Sequence, residues 1–275
     1  MDQIVKAISS TEDYIIVACT STKLLQDIVK NHKIVTGFNN KISDVISANI
    51  LMSMNLKSEK EQIGLSLNTN GMLSQINSNG NYYGGFNGYG VLNKKGASII
   101  GDGVLEVHRY YNGKEVSSSQ ITADKNDISK IIVDYYFKSE QVYSVLLLAS
   151  ISDKKSDEFY GSGGILIQLL PNAKEEVKDI IAESVAKIES LSKKIALGLS
   201  GEDMIKLIDE GAKIIEERPV FFECNCSNKS VLDSLKLINK NDIDEIINED
   251  GGVKIICNAC NKEYIFYRED FDYEN

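Results

Sequence analysis

Four of the five cysteines lie near the end of this 275-residue chain, in two short pairs. The first pair is Cys224-Asn225-Cys226, the second is Cys257-Asn258-Ala259-Cys260, and residues 227–256 separate them. Two tight turns that each supply two thiolates suit a tetrahedral Zn²⁺ site, with Zn–S distances of about 2.3 Å. Thiolates are also the form of cysteine that oxidants attack. The spacing therefore predicts one zinc ion bound by Cys224, Cys226, Cys257 and Cys260, and leaves open whether the site is structural or a redox switch.

The fifth cysteine belongs to a different environment. Cys19 lies in the apolar run Tyr14-Ile15-Ile16-Val17-Ala18-Cys19, where a cysteine usually acts as a small buried hydrophobic residue. We therefore expect Cys19 to lie in the core and to bind no metal.

Composition and charge exclude several classes of function. The net charge is −10 and the pI is near 4.9, so a nucleic-acid backbone would be repelled. The apolar runs are too short to span a bilayer, and the first residues lack the basic and apolar regions of a signal peptide. The sequence thus predicts a cytoplasmic protein that binds neither nucleic acid nor membrane, in a compartment where thiols stay reduced.

Two glycine clusters resemble nucleotide-binding loops only superficially. Neither Gly84–Gly90 nor Gly161–Gly164 matches G-x-x-x-x-G-K-[ST], and the second precedes an apolar, strand-like run rather than a helix. Turns and a strand explain both clusters, so no nucleotide is expected.

Residues 1–172 carry mostly strand and hairpin patterns. A β-branched run covers 14–20, and helices are predicted over 23–31 and 43–56. Asn-Gly pairs at 70–71, 79–80 and 112–113 predict hairpin turns, because both central residues of such turns need positive φ. This part is predicted to be an α+β core domain dominated by antiparallel sheet.

Residues 173–221 are predicted to form a helical linker. Apolar residues recur at steps of three and four, which places them along one stripe of a single helix that ends near Gly198. A second helix is predicted over 202–210, with Ser200 as its N-cap. These helices must bury their apolar stripe against another part of the chain. The stripe consists of Val177, Ile181, Val185, Ile188, Leu191 and Ile195.

Residues 222–275 contain the cysteine pairs and few large aliphatic residues. A short helix over 231–238 with Ser230 as N-cap, another from Asp242, and a hairpin with Cys257–Cys260 at its tip are predicted. Because so short a segment builds little core, a metal would supply much of its folding free energy. The prediction is a small C-terminal zinc-binding domain.

Four segments give the chain a family resemblance. They are Tyr136-Phe137-Lys138-Ser139-Glu140-Gln141, Gly163-Gly164-Ile165-Leu166-Ile167-Gln168-Leu169-Leu170-Pro171, Phe222-Glu223-Cys224-Asn225-Cys226-Ser227, and Cys257-Asn258-Ala259-Cys260 leading into Tyr264. With these segments the chain resembles the redox-regulated 33-kilodalton heat-shock chaperones of bacteria, the 33 kDa chaperonin family. It departs from the family pattern at Asn87, at Asn93-Lys94 and at Ala259, but keeps every cysteine of the motif.

The resemblance implies an ATP-independent holdase, inactive while reduced and zinc-bound, that catalyses no reaction. It implies that oxidation forms the disulfides Cys224–Cys226 and Cys257–Cys260 and ejects the zinc, after which the linker stripe binds unfolded client proteins. A homodimer of the oxidised form is a further expectation.

Two other classes of function remain open. A thiol-disulfide oxidoreductase would use Cys257 or Cys260 as a nucleophile. A static zinc-ribbon interaction module would keep its metal in the presence of oxidant.

Overall fold

The structure is a computed structural model that describes residues 1–31, 38–123, 127–153, 156 and 158–271. It divides into two compact units, Met1–Phe222 and Glu223–Asn275. Within the described residues, no helix has the length and apolar character needed to cross a bilayer. The antiparallel sheets, the several helices and the C-terminal cysteine cluster confirm the predicted α+β class.

The elements are numbered in chain order. The strands are β1 Gln3–Ile8, β2 Tyr14–Thr20, β3 Glu61–Thr69, β4 Leu73–Asn81, β5 Gly85–Leu92, β6 Gly103–Tyr111, β7 Lys114–Ala123, β8 Ser144–Ser152, β9 Phe159–Leu169, β10 Lys213–Pro219, β11 Phe221–Phe222, β12 Val253–Ile256 and β13 Glu263–Phe266. The α-helices are α1 Thr22–Asn31, α2 Asn39–Ser53, α3 Ile128–Tyr135, α4 Val177–Ala186, α5 Leu191–Ala196, α6 Gly201–Ile208, α7 Asn228–Leu235 and α8 Lys240–Asp250. A π-helical turn spans Tyr136–Glu140 and a 3₁₀ turn spans Arg268–Asp270.

The first unit contains two sheets. One has the order β10-β1-β2-β9-β8 and the other the order β11-β5-β4-β3-β6-β7. Neighbouring strands are antiparallel except β11, which runs parallel to β5. Helix α2 contacts strands of both sheets, so it forms the middle layer between them.

Because α2 is enclosed, its small polar residues are buried along with its aliphatic ones. Their hydrogen bonds stay inside the core, as buried polar groups require. The Ser43 hydroxyl lies 2.8 Å from that of Ser162, and the Ser47 hydroxyl lies 2.9 Å from that of Ser21. Cys19 is fully buried in the same core, which confirms its predicted role.

Two of the three predicted Asn-Gly turns are confirmed. Asn112 and Gly113 join β6 to β7 with φ of 51° and 73°. Asn70-Gly71 joins the paired strands β3 and β4, but without the positive φ that the Asn-Gly pattern predicts. The predicted turn at Asn79-Gly80 is wrong, because both residues lie inside β4. Gly80 is needed there for packing: a Cβ at this position would come within 2.2 Å of the Phe86 ring. The chain turns instead just before β5, where Gly84 has a φ of 93°.

The segment 173–221 is not helical throughout. The single helix predicted over the apolar stripe is two helices, α4 and α5, with Ser190 in the left-handed region between them. Helix α6 begins after Ser200, as predicted, and Asp203 completes its capping box. The segment then adds β10 to the first sheet beside β1, and β11 to the second sheet.

The apolar stripe lies against the first sheet. Val177, Ile181, Leu191 and Ile195 are buried, and Val185 and Ile188 are partly buried, in one cluster with alternate residues of β1, β2 and β9. The remaining residues of these strands, such as Ile4 and Val17, face the α2 core. Because side chains alternate across a strand, the stripe covers the sheet face opposite to α2. Helices α5 and α6 contact the sheet, and α4 packs on α6.

The second unit is much smaller. Helices α7 and α8 and the β12–β13 hairpin enclose a core of seven buried residues: Leu235, Ile243, Ile247, Val253, Tyr264, Phe266 and Phe271. Helix α7 begins earlier than predicted, because Ser227 rather than Ser230 is its N-cap; Ser230 occupies the third helical position of that capping box. Residues 272–275 of the predicted zinc-binding domain lie outside the described residues.

Candidate metal centre

Local structure places the four cysteines on two short segments of the second unit, one irregular and one a turn. Cys224 and Cys226 lie on the non-helical stretch that ends at the Ser227 N-cap of α7. Cys257 follows β12, and Cys260 lies in the turn before β13. The Cys257 amide donates to the Lys262 carbonyl at 2.9 Å, and Asn261 takes the left-handed conformation, which asparagine tolerates well.

The segments 224–226 and 257–260 bring the four sulfur atoms together. All four lie within 4.8 Å of one another. The Sγ atoms of Cys224 and Cys257 are 3.7 Å apart, and those of Cys226 and Cys260 are 3.3 Å apart. All four residues are partly buried, and all four thiols are free.

This arrangement fits a tetrahedral metal ion. Four sulfurs that each lie about 2.3 Å from a central ion are about 3.8 Å from one another, close to the observed separations. The donor set is four sulfurs without a carboxylate or an imidazole, which is the set of closed structural sites. The four cysteines could therefore hold a metal ion.

A tyrosine hydroxyl completes the surroundings of the cluster. Tyr264 on β13 donates a hydrogen bond to the Cys226 sulfur at 3.0 Å. Burial raises the pKa of Cys226, but this hydrogen bond and those from the neighbouring thiols outweigh burial and lower the pKa to about 7. Burial raises the pKa of Cys224 and of Cys260. The cluster therefore holds one readily ionised thiol beside others that are harder to ionise.

The sequence analysis named Tyr264 only as the residue to which the second cysteine pair leads, and gave it no place in the site. Its ring belongs to the small core, where it stacks on Phe266 with the ring centroids 6.5 Å apart. The hairpin register pairs Tyr264 with Ile255, close to the first cysteine of the second pair. The available signal was an aromatic residue with a polar tip four positions after Cys260.

The other predicted site residues lie elsewhere. The six apolar residues of the linker stripe belong to the first unit, on the outer face of its five-stranded sheet. They form one continuous apolar cluster, although they come from two helices and the turn between them.

The chain thus combines an antiparallel-sheet core with a small C-terminal unit that holds four clustered thiols. The model of the family described as Hsp33 protein matches residues 2–267 of this chain. The chain belongs to the Hsp33 family, which confirms the resemblance seen in the sequence.

Two relatives align with this chain over almost their whole length. The chain is 31% identical to a 33 kDa chaperonin of Clostridium acetobutylicum, an alignment that covers 98% of this chain and 95% of the relative. It is 27% identical to a 33 kDa chaperonin of Agathobacter rectalis, with 96% of each covered. The crystal structure of the Hsp33 homologue of Thermotoga maritima has the same fold, with a TM-score of 0.83 at 20% identity over 98% of this chain and 95% of that one.

Proposed function

We propose that this protein is a redox-regulated, ATP-independent holdase chaperone of the cytoplasm. Reduced and zinc-bound, it is inactive; oxidised and zinc-free, it binds unfolding proteins and prevents their aggregation. The observation that carries the proposal is the cluster of four free thiol sulfurs within 4.8 Å, in a chain of the Hsp33 family. The relatives named 33 kDa chaperonin support the chaperone assignment.

Cys224, Cys226, Cys257 and Cys260 are the proposed ligands of one Zn²⁺ ion. Bound zinc would keep the four thiols deprotonated and would link the two segments that carry them. The described residues of the second unit bury seven large side chains, so this link would supply much of its stability. Loss of the link would then unfold the second unit.

We propose that oxidation converts the four zinc ligands to disulfides in two equivalent steps, one for each cysteine pair. In each step two thiolates, one peroxide molecule and two protons give one disulfide and two water molecules. The proposed disulfides are Cys224–Cys226 and Cys257–Cys260, one within each pair. Since a disulfide sulfur no longer carries the charge of a thiolate, the metal is released.

Activation requires an apolar surface for clients, and the linker stripe is the proposed one. In the resting protein this stripe is covered by the first sheet. Strands β10 and β11 connect α6 to Cys224 along the chain and pair with β1 and β5. Unfolding of the second unit is proposed to loosen these terminal strands and then the helices before them, which exposes the stripe.

The proposed partners are unfolded or partly unfolded proteins, with homodimerisation of the oxidised form. No nucleic acid, membrane or nucleotide takes part, and no residue catalyses turnover. The two rival functions predict different responses to peroxide. A thiol-disulfide oxidoreductase would reduce disulfide substrates with turnover, and a static zinc-ribbon module would keep its zinc.

One parallel experiment tests the proposal. Reduced, zinc-loaded protein is treated with peroxide while zinc release is followed with a chromogenic chelator and aggregation of an unfolding client by light scattering. Zinc release and suppression of aggregation should rise together, and added ATP should change neither. Zinc retained under peroxide, or full activity before oxidation, would contradict the proposal.

A further inference from the structure

A cavity of about 590 Å³ lies in the first unit, beside the residues that follow α2. Its walls come from β1, the chain after α2, the turn after β4, strand β6, the π-helical turn and β10. The charged residues that line it are Lys6, Lys57, Arg109, Arg218, Glu140 and Glu216. The lining therefore carries four positive and two negative groups, in a chain whose net charge is −10.

One of the two arginines supports the wall of the cavity. The Arg218 side chain is buried, stacks on the Tyr82 ring at 4.0 Å, and donates from Nε to Glu216 at 2.8 Å. Its two Nη atoms donate to the carbonyls of Leu56 at 3.1 Å and Ser53 at 3.4 Å. These bonds occupy its donors, so Arg218 holds β10 against the end of α2 rather than a ligand.

The other arginine, Arg109, interacts with Glu140 and Tyr135. Arg109 Nη2 donates to Glu140 at 3.1 Å, and Glu140 also accepts from the Tyr135 hydroxyl. Neither Lys6 nor Lys57 forms an ion pair with any residue that the structure describes. Two unpaired ammonium groups and a guanidinium around a concave surface give the cavity a surplus of positive charge and of N–H donors.

Two structural irregularities lie at the same wall. The π-helical turn that presents Glu140 ends at Gln141, which has a φ of 56°, and such turns and left-handed residues concentrate at functional sites. The Tyr136 hydroxyl is buried beside the side chain of Asn55, a residue of the cavity wall. The redox function proposed above gives no role to this segment.

We propose that this cavity binds a small molecule that carries a phosphate or diphosphate group. Lys6, Lys57 and Arg109 would supply the opposing charge, and the Asn55 amide would supply a neutral hydrogen bond. Every lining residue belongs to the first unit. In the reduced chain, binding therefore involves neither the zinc nor the cysteines.

The test is titration of the reduced, zinc-loaded chain with pyrophosphate, followed by calorimetry at constant ionic strength. Pyrophosphate should bind with a Kd below about 1 mM. The double variant Lys6→Gln/Lys57→Gln should bind about tenfold or more weakly, because it loses both unpaired ammonium groups. The matched control is Lys95→Gln/Lys130→Gln, which removes the same charge from two exposed residues outside the cavity and should bind like the wild-type chain.

Two further measurements keep the test specific. The zinc content after the titration should be unchanged, which separates binding in the cavity from chelation at the cysteines. The oxidised, zinc-free chain should bind pyrophosphate more weakly, because β10 forms part of the cavity wall and is proposed to loosen on oxidation. Absence of binding by the wild-type chain, or equal losses in the two double variants, would overturn the site.

Discussion

The two units of this chain differ in what maintains their structure. The first unit has two sheets around a buried helix, and its apolar side chains form two large clusters, one on each side of the five-stranded sheet. The second unit has a two-stranded hairpin, two helices and a single small cluster that includes Cys226 and Cys257 at its edge. A core of the first kind folds by burial alone, whereas one of the second kind needs a cross-link. The same oxidant should therefore unfold the second unit and leave the α2 core of the first unit folded.

The largest expected effect comes from removing the metal. A strong chelator added under reducing conditions should unfold the second unit, because no metal ion would then link the two segments that carry the cysteines. Amide exchange over α7, α8 and the β12–β13 hairpin should become fast, while β2 and β9 stay protected. Readdition of zinc should restore protection. Continued protection of the second unit without metal would contradict the claim that this unit needs the metal to stay folded.

The next effect concerns the individual ligands. Cys224→Ser should reduce bound zinc well below one ion per chain, because a closed site needs all four sulfurs. Cys19→Ser is the matched control, since Cys19 lies in the core of the first unit. It should keep full zinc and lower the melting temperature of the first unit only. Zinc lost in the Cys19 variant and kept in the Cys224 variant would show that the ligands are misassigned.

A third prediction tests the docking of the linker stripe without removing the metal. Ile181 on α4 is 1% exposed and its neighbour Ile180 is 53% exposed. Ile181→Asp should cost about 3 kcal/mol or more of the docking free energy of the linker helices, because it buries an unpaired carboxylate. The variant should suppress client aggregation while reduced and zinc-loaded.

Ile180→Asp is the control for this change, with the same substitution on the exposed side of the helix. It should remain inactive until oxidised. Equal activity of the two reduced variants would mean that docking of the stripe does not control client binding.

The smallest effect is a pH dependence confined to the first unit. Burial raises the pKa of Asp44 on α2 to about 6, with Lys41 opposing the shift. Between about pH 4 and pH 6 the folded state binds the proton more tightly than the unfolded state, so this carboxyl makes stability fall as pH rises through that window. Asp44→Asn should stabilise the first unit at pH 7 by about 1–2 kcal/mol.

The matched control for this effect is Asp102→Asn, at an exposed position of the same unit. Its denaturation midpoint at pH 7 should stay at the wild-type value, and the Asp44 gain should vanish near pH 4. A gain that persists at low pH would rule out titration of Asp44 as its cause.

Features with a local cause were predicted well from the sequence. Cys257–Cys260 lies at the tip of the β12–β13 hairpin, as predicted, and Ser200 caps α6 through a residue three positions away. The Asn112-Gly113 turn likewise depends only on the φ preferences of two residues.

Features that depend on distant residues were missed. Strand β10 exists because it pairs with β1, about two hundred residues earlier in the sequence. The Asn79-Gly80 pair was misread because the Phe86 ring, on the next strand, requires a glycine opposite it. The hydrogen bond from Tyr264 to Cys226 also depends on tertiary structure. Periodicity along the chain contains no information on such contacts.

Amide exchange over α4, α5 and α6 tests most directly whether the small unit controls the large one. It should be compared between the reduced, zinc-loaded protein and the oxidised, zinc-free protein, with β2 and β9 as internal references. Exchange over Val177–Ile208 should become faster on oxidation while the reference strands stay protected. If Val177–Ile208 exchanges equally slowly in both states, the stripe stays docked and the coupling between metal loss and client binding is wrong.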